Sequence, residues 1–423
     1  MSNHRLLNLP LIALVVVLLA GIFLRLPPSL FFPSGSLYAL ASFHPQPMNT
    51  DLGFDEGLYR DYANKLSRFG LSSYPEIVQR YREEQETLTG SILPPVRFLF
   101  VFAAASWHLL FGTEMLAALR NVSALFSILT LLLATLFAKR LARPGYSLGI
   151  AALMAFAPTQ LHMSQHGLAD GFFTFWVTLI LWSLWENFRS PGDWRWLSLL
   201  IGALAAIVLT KENAFFVWLG MIAILIANRW LRWGRITREL ILAVFLGPTL
   251  GVVMLIFLAG GIPELLATYH LSVTKNYELE YAVLTGDGPW YRYLVDLLLV
   301  SPVVLLLAIC SVFRLTRDSK VEWFFFIFIA ATYAIMCNIK YGMNLRYANM
   351  WDLPLRVLAV GQLATFAGLA NRRSNIVMAV SVITVCAIEF QQYIILAVNF
   401  PLYELITPHL LRAFGILKDN LGP

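Results

Sequence analysis

Charge is scarce in this sequence. Asp, Glu, Lys and Arg make up 13% of its 423 residues, whereas a soluble globular protein carries about 25%, and a soluble enzyme is thereby excluded. Cysteine is scarcer still. Cys310, Cys337 and Cys386 are the three present, all inside apolar runs, so they read as packing residues and exclude a disulfide framework or a cysteine zinc cluster. A phosphate-binding glycine loop, a dinucleotide fingerprint and a nucleophile elbow are all missing, which argues against a cytosolic nucleotide donor. No internal repeat or low-complexity tract stands out.

What the sequence has instead is apolar surface, 58% of residues. A helix needs about 20 apolar residues to cross a bilayer, and eleven stretches are candidates: 6–24, 119–138, 147–161, 171–185, 196–210, 214–227, 240–258, 293–313, 321–337, 351–370 and 376–398. The expected architecture is all-α, a polytopic membrane helix bundle of about eleven spans with juxtamembrane helices in a large first outer loop. Residues 1–398 form the bundle, with outer loops at 25–118 and 259–292, and 399–423 is a short outer tail. The run after Arg5 resembles a signal peptide but lacks a small-x-small cleavage site before Arg25, so it is read as the first span.

Basic clusters at Lys139/Arg140/Arg143, Arg189/Arg195, Arg229/Arg232/Arg235/Arg238, Arg314/Arg317/Lys320 and Arg372/Arg373 are each separated from the next by two spans. Lys and Arg in short loops mark the cytoplasmic side. All five clusters fall inside if the amino terminus is cytoplasmic and the apolar segment 96–111 does not cross. That segment is therefore placed as a juxtamembrane helix on the outer face. The net charge of +6 then reports orientation and not nucleic-acid binding, and no nucleic-acid partner is expected.

With this topology the unusual ionisable residues share the outer face: Asp55, Glu56, His162, His166, Asp170, Lys211, Glu212, His270, Lys275, Asp287, Lys340 and Arg346. Ionisable groups at membrane depth are costly and suggest a functional site. Asp55-Glu56 opens a short helix, either as an exposed cap favoured by the helix dipole or as a general base on an acceptor hydroxyl. His162, His166 and Asp170 recur every four residues and would share a helix face unless Gly167 breaks it. Two imidazoles and a carboxylate could hold a divalent metal, although interfacial histidines are commonly just hydrogen-bonded. Lys211 and Arg346 either snorkel to the interface or pair with an acid, or else hold a lipid phosphate.

The order of these features is familiar. An acidic pair follows the first span, Pro94-Pro95 leads into an apolar helix ending at Gly112, and Leu119-Arg120 opens a span that closes at Lys139-Arg140-Leu141. Ala157-Pro158 precedes Asp170, and Thr210-Lys211 and Arg346-Tyr347 come later. The sequence resembles the C-type membrane glycosyltransferase superfamily, specifically the bacterial relatives of protein O-mannosyltransferases and of the lipid A aminoarabinose transferase. The likeness is clearest over residues 5–215 and weaker to Pro354. It implies an enzyme that passes a sugar from a polyprenyl-phosphate donor to an acceptor glycan, lipid or protein, in the bilayer of the cell's inner (plasma) membrane, with the site facing the periplasm or exterior. On the family pattern Asp55 matches the first-loop catalytic acid, Glu56 its neighbour and Asp170 the second-loop acid, while Lys211 and Arg346, with Tyr347, fall at positions assigned to the carrier phosphate. The usual His before the proline pair is Leu93 here, which leaves the acceptor open. The competing classes are a transporter or flippase of lipid-linked sugars, whose charges would lie near the midplane between paired repeats, and a non-catalytic scaffold subunit.

Overall fold

The structure, a computed structural model, describes residues 3–46, 52–141, 146–279, 282, 286, 288–340 and 342–399, with side chains from residue 10 onward. Arg143, Asp287 and the tail from residue 400 lie outside the described residues. Among the described residues the elements are helices and no strands.

In chain order they are α1 (Asn3–Arg25), α2 (Phe54–Phe69), α3 (Tyr74–Thr87), α4 (Phe98–Phe111), α5 (Met115–Leu141), α6 (Tyr146–Ala155), α7 (Pro158–Gln165), α8 (Ala169–Arg189), α9 (Trp194–Val208), α10 (Ala214–Leu231), α11 (Arg238–Ala259), α12 (Ile262–Asn276), α13 (Arg292–Val300), α14 (Pro302–Val312), α15 (Lys320–Met336), α16 (Asp352–Gly368) and α17 (Ser374–Tyr393). Among the described residues, four helical stretches are long and apolar enough to cross a membrane, namely Met115–Leu141, Ala214–Leu231, Arg238–Ala259 and Asn371–Asn399. With no water in the bilayer core, a helix that satisfies its own backbone is the element such a sequence can use. α11 shows what such a helix exposes: Leu242, Phe245 and Phe257 are 65%, 51% and 77% accessible. In water these would form an aggregating patch, and against lipid they are ordinary.

Two expected continuous spans are broken. The stretch 147–161 divides into α6 and α7, and 293–313 into α13 and α14. The cause is the same in both. Pro158 and Pro302 each lack the N–H that would continue the helix and instead occupy its first turn, where none is needed. The carbonyls left over at the end of α6 are taken up by a buried guanidinium: Arg25 donates to Met154 O at 2.7 Å and to Ala155 O at 2.8 Å, and its Nε reaches Ser127 at 3.0 Å. Arg356 acts similarly one residue earlier, donating to Leu153 O at 2.9 Å while pairing with Asp352 and with Glu389. These buried pairs tie α1, α5, α6, α16 and α17 together.

α9 packs against both α8 and α11. The α9–α11 approach is close because Gly247 and Gly251 face it. A Cβ on Gly247 would come 2.6 Å from the Leu204 Cβ, and one on Gly251 would come 2.8 Å from the Ala205 carbonyl oxygen, a small-xxx-small contact of the kind that membrane helices use. On the side carrying the first loop, α2 rests on α4 and α5, and α3 rests on α12. α4 is fixed at its start by the Leu99 N–H donating to Leu209 O at 2.8 Å. The ends of α4, α8 and α9 and the start of α2 thereby meet at one place.

Candidate functional site

The site begins at the first turn of α2. The Glu56 carboxylate accepts from the Gly53 N–H at 3.0 Å and caps its own helix. The same carboxylate takes both arms of the Arg120 guanidinium, at 3.0 and 2.8 Å, and the Gly167 N–H at 2.6 Å. Gly167 has to be small here: a Cβ would lie 2.9 Å from that of Leu119. Burial pushes the Glu56 carboxyl up, but the Arg120 hydrogen bonds and charge outweigh it and hold the group below its ordinary range. Glu56 is 1% exposed and joins α2, α5 and the α7–α8 link, so the geometry gives it a clamping position that its neighbour Asp55 does not share.

Asp55 points elsewhere. Its Oδ2 accepts from Arg346 Nη1 at 2.9 Å, and with 23% of the side chain exposed it is not a fully solvated helix cap. Arg346 sits in a 3₁₀ turn, Leu345–Trp351, capped by the Asn344 side chain, which accepts from the Arg346 N–H at 2.9 Å. That turn is pinned to α15 by the Trp351 indole N–H, 2.7 Å from Thr332 Oγ1.

Asp170, in the first turn of α8, finds its partner in Lys211, with Nζ 2.5 Å from Oδ1. Both side chains are nearly sealed, at 5% and 2% exposure, so Lys211 does not snorkel. Tyr347 presents its ring to the same ammonium, 4.1 Å from the centroid, a cation–π contact strengthened by desolvation. The Asp170–Lys211 and Asp55–Arg346 pairs therefore adjoin. Burial pulls Lys211 down to about 8 against the raising influence of Asp170.

Glu212 stood out in the sequence among the outer-face charges, but its partner did not. Arg97, just after Pro94-Pro95, grips Glu212 through Nε at 3.1 Å and through a second, shorter contact of Nη2, and donates to the Tyr59 hydroxyl at 2.7 Å. Arg120 was noted as a motif residue but not as part of the site. In both cases the available clue was an arginine at the edge of an apolar helix, where a charge without a purpose is costly.

His162 and His166 do come together, with ring centroids 4.5 Å apart. They do not share a helix face with Asp170, because α7 ends at Gln165 and His166 is already extended, at φ −113° and ψ 145°. Asp170 is engaged with Lys211, and among the described residues no group of three or more His, Cys, Asp or Glu could hold a metal ion. Among the described residues, His162, His166 and Asp170 thus do not form the three-residue metal site considered from sequence.

An apolar groove of about 440 Å³ opens beside this cluster, between α9, α10 and α11. Leu204, Ile207, Trp218 and Phe245 wall it, and Lys211 and Glu212 are its charged members.

Residues 89–266 match the family described as "Dolichyl-phosphate-mannose-protein mannosyltransferase". No curated protein matches the chain by sequence. Among solved structures that share the fold, the Archaeoglobus fulgidus oligosaccharyltransferase complex with Zn and sulfate superposes with a TM-score of 0.59 at 15% identity over 90% of this chain and 53% of its own. The Archaeoglobus fulgidus AglB in complex with an inhibitory peptide and a dolichol-phosphate gives 0.57 at 12% identity, covering 94% and 56%. ArnT from Cupriavidus metallidurans, in the apo state, gives 0.51 at 13% identity, covering 94% and 76%. The chain thus spans about half the length of the archaeal enzymes. The matching family and the shared fold both bear out the resemblance to C-type membrane glycosyltransferases, and with it the helical membrane bundle.

Proposed function

We propose that the protein transfers a sugar from a polyprenyl-phosphate carrier to an acceptor hydroxyl at the outer face of the membrane, with inversion. The observation that carries this reading is the apolar groove with Lys211 among its lining residues, beside two carboxylate–cation pairs. A polyprenyl-phosphate sugar has that make-up, a long apolar tail ending in an anionic phosphodiester, whose phosphate gains a second charge as the sugar leaves. The structurally similar AglB was captured with a dolichol-phosphate, a ligand of the same chemical class.

In this account the tail lies in the groove and the phosphate oxygens draw Lys211 and Arg346 away from Asp170 and Asp55. Arg346 offers a planar fork and Lys211 a point charge. Releasing Arg346 leaves the Asp55 carboxylate open to the acceptor hydroxyl. The hydroxyl oxygen attacks the anomeric carbon as Asp55 takes its proton. The bond from that carbon to the phosphate oxygen breaks, and the departing charge is stabilised by the two cations. One displacement inverts the anomeric centre. Glu56 is a positioning residue that fixes α2 beside the α7–α8 link. No step passes through a metal.

Donor binding tests this reading, and pH gives it a sign. Lys211 is charged below about 8 in the free protein, and the carrier phosphate, with a second pKa of about 6, is fully charged above neutrality. Affinity for undecaprenyl phosphate in nanodiscs is therefore expected to fall as pH rises above about 8, with the midpoint displaced upward because bound phosphate favours the ammonium. Absence of saturable binding, or an affinity flat to pH 10, would contradict the role given to Lys211.

Sidedness is the second requirement. In a background lacking Cys310, a cysteine replacing Glu84, exposed on α3, should react with an impermeant reagent from outside the cell, and one replacing Arg235, exposed before α11, only after permeabilisation. Reaction of both from one side would remove the topology.

A further inference from the structure

Two buried carboxamides, Asn228 and Gln85, are paired at both ends, and others, such as Asn187 and Gln160, lack a partner only for the oxygen. Asn228 donates to the Gly234 carbonyl and accepts from its N–H, and Gln85 bonds Gly90 and Ile92 in the same way. Asn349 departs from this. It is 2% exposed, and neither its Nδ2 nor its Oδ1 has a hydrogen-bond partner among the described residues. A buried amide left wholly unpaired is costly and uncommon in native interiors, which makes it a candidate for a ligand contact.

Its place in the chain says where that ligand would be. Asn349 belongs to the 3₁₀ turn Leu345–Trp351 that carries Arg346. With three residues per turn, Asn349 is eclipsed with Arg346 on one face of the turn, about 6 Å along its axis. Three residues on is Asp352, which accepts from Thr159 Oγ1 at 2.5 Å and from Gln160 Nε2 at 2.6 Å. Gln160 is 1% exposed, and its own Oε1 is likewise without a partner. The turn packs against α7 and α8, the helices that bear Gln160 and Asp170. One complete carboxamide thus stands, buried and unsatisfied, one turn from Arg346, and a second amide oxygen, on Gln160, stands beside Asp352, one turn further along.

We infer that Asn349, with Gln160 Oε1, forms the subsite for the transferred sugar, its Nδ2 donating to one ring hydroxyl while Oδ1 and Gln160 Oε1 accept from others. This rests on the donor reading above and deepens it. A carboxamide carries no charge and moves no proton at neutral pH, so the role is recognition. It offers both donors and acceptors, which suits vicinal hydroxyls and suits neither the phosphate nor the tail.

The test compares bare undecaprenyl phosphate with undecaprenyl-phosphate glucose, mannose, galactose and aminoarabinose, binding to wild type and to Asn349→Leu in nanodiscs. Wild type is expected to bind at least one sugar-bearing donor about tenfold or more tighter than the bare lipid, the size of one or two hydrogen bonds. Asn349→Leu should lose that preference, keep its affinity for the bare lipid, and unfold at the same temperature as wild type or higher, since an unpaired amide is exchanged for an apolar group of like size. If leucine does not fit, Asn349→Ala is read in the same way for preference and bare-lipid affinity. A variant that retains the sugar preference overturns the subsite, as does a wild type with no preference for any of the four. Failure of wild type to bind even the bare carrier would overturn the donor reading as well, which separates the two failures.

Discussion

Asp55→Asn is expected to lower turnover by about 10²-fold or more, the usual worth of a positioned general base, with no rise in donor KM. The second half of that expectation is specific to this geometry. Asp55 and Arg346 hold each other at 2.9 Å, so the neutral amide leaves the guanidinium freer for phosphate, and the donor should bind as well or better while chemistry fails. A structural carboxylate would show the reverse, with lost folding and modest kinetic change. The measurement is kcat and donor KM for purified enzyme, with thermal unfolding as the control. Near-normal turnover would eliminate Asp55 as the base.

The second large effect concerns the cations. Lys211→Ala removes a charge-assisted contact of about 1.5–3 kcal/mol, which corresponds to roughly ten- to a hundredfold weaker donor use. It also strands Asp170, whose side chain is 5% exposed, and breaking a buried pair this way costs about 3–5 kcal/mol of stability. Lys211→Ala combined with Asp170→Asn separates the two consequences: stability should return, because no buried charge is left uncompensated, while donor use should not. Arg346→Ala should match the donor defect of Lys211→Ala, and Arg346→Lys should be intermediate, since it keeps the charge and loses the fork. Donor-concentration curves for these variants decide the matter. Unchanged curves in both alanine variants would return Lys211 and Arg346 to purely structural ion pairing.

The helical architecture was legible because apolar runs of span length have one physical interpretation. Where the reading failed, the runs themselves misled. Ala157-Pro158 and Ser301-Pro302 lie inside apolar stretches and were read through, although proline interrupts the hydrogen-bond ladder whatever its neighbours. For the same reason Arg25, Arg356, Asp352 and Glu389 escaped notice as isolated charges in apolar surroundings, yet they interlock as the buried network around the end of α6 and the start of α16.

Membership of the candidate cluster was more legible than its geometry. Asp55, Asp170, Lys211 and Arg346 were selected by residue type and sidedness, but the partnerships were out of reach. Asp55 and Arg346 are 291 positions apart, and Asp170 and Lys211 are 41 apart. No local pattern specifies contacts at such separations; they are made by the packing of α2, α8 and the 3₁₀ turn. Asn349 was invisible for a further reason: an asparagine in a helix-adjacent segment is unremarkable until its surroundings are known to offer it no partner.

The central claim is that the groove and the two cations hold a polyprenyl-phosphate donor with its anomeric carbon at Asp55. A density map of the protein in nanodiscs with a polyprenyl-phosphate sugar bound tests it most directly. The account predicts the tail along Leu204, Trp218 and Phe245, phosphate oxygens at about 2.7–2.9 Å from Lys211 Nζ and the Arg346 guanidinium, and the Asp55 carboxylate released from Arg346 and facing the anomeric carbon. A phosphate bound away from both cations, or a donor seated with Asp55 still locked to Arg346, would contradict it.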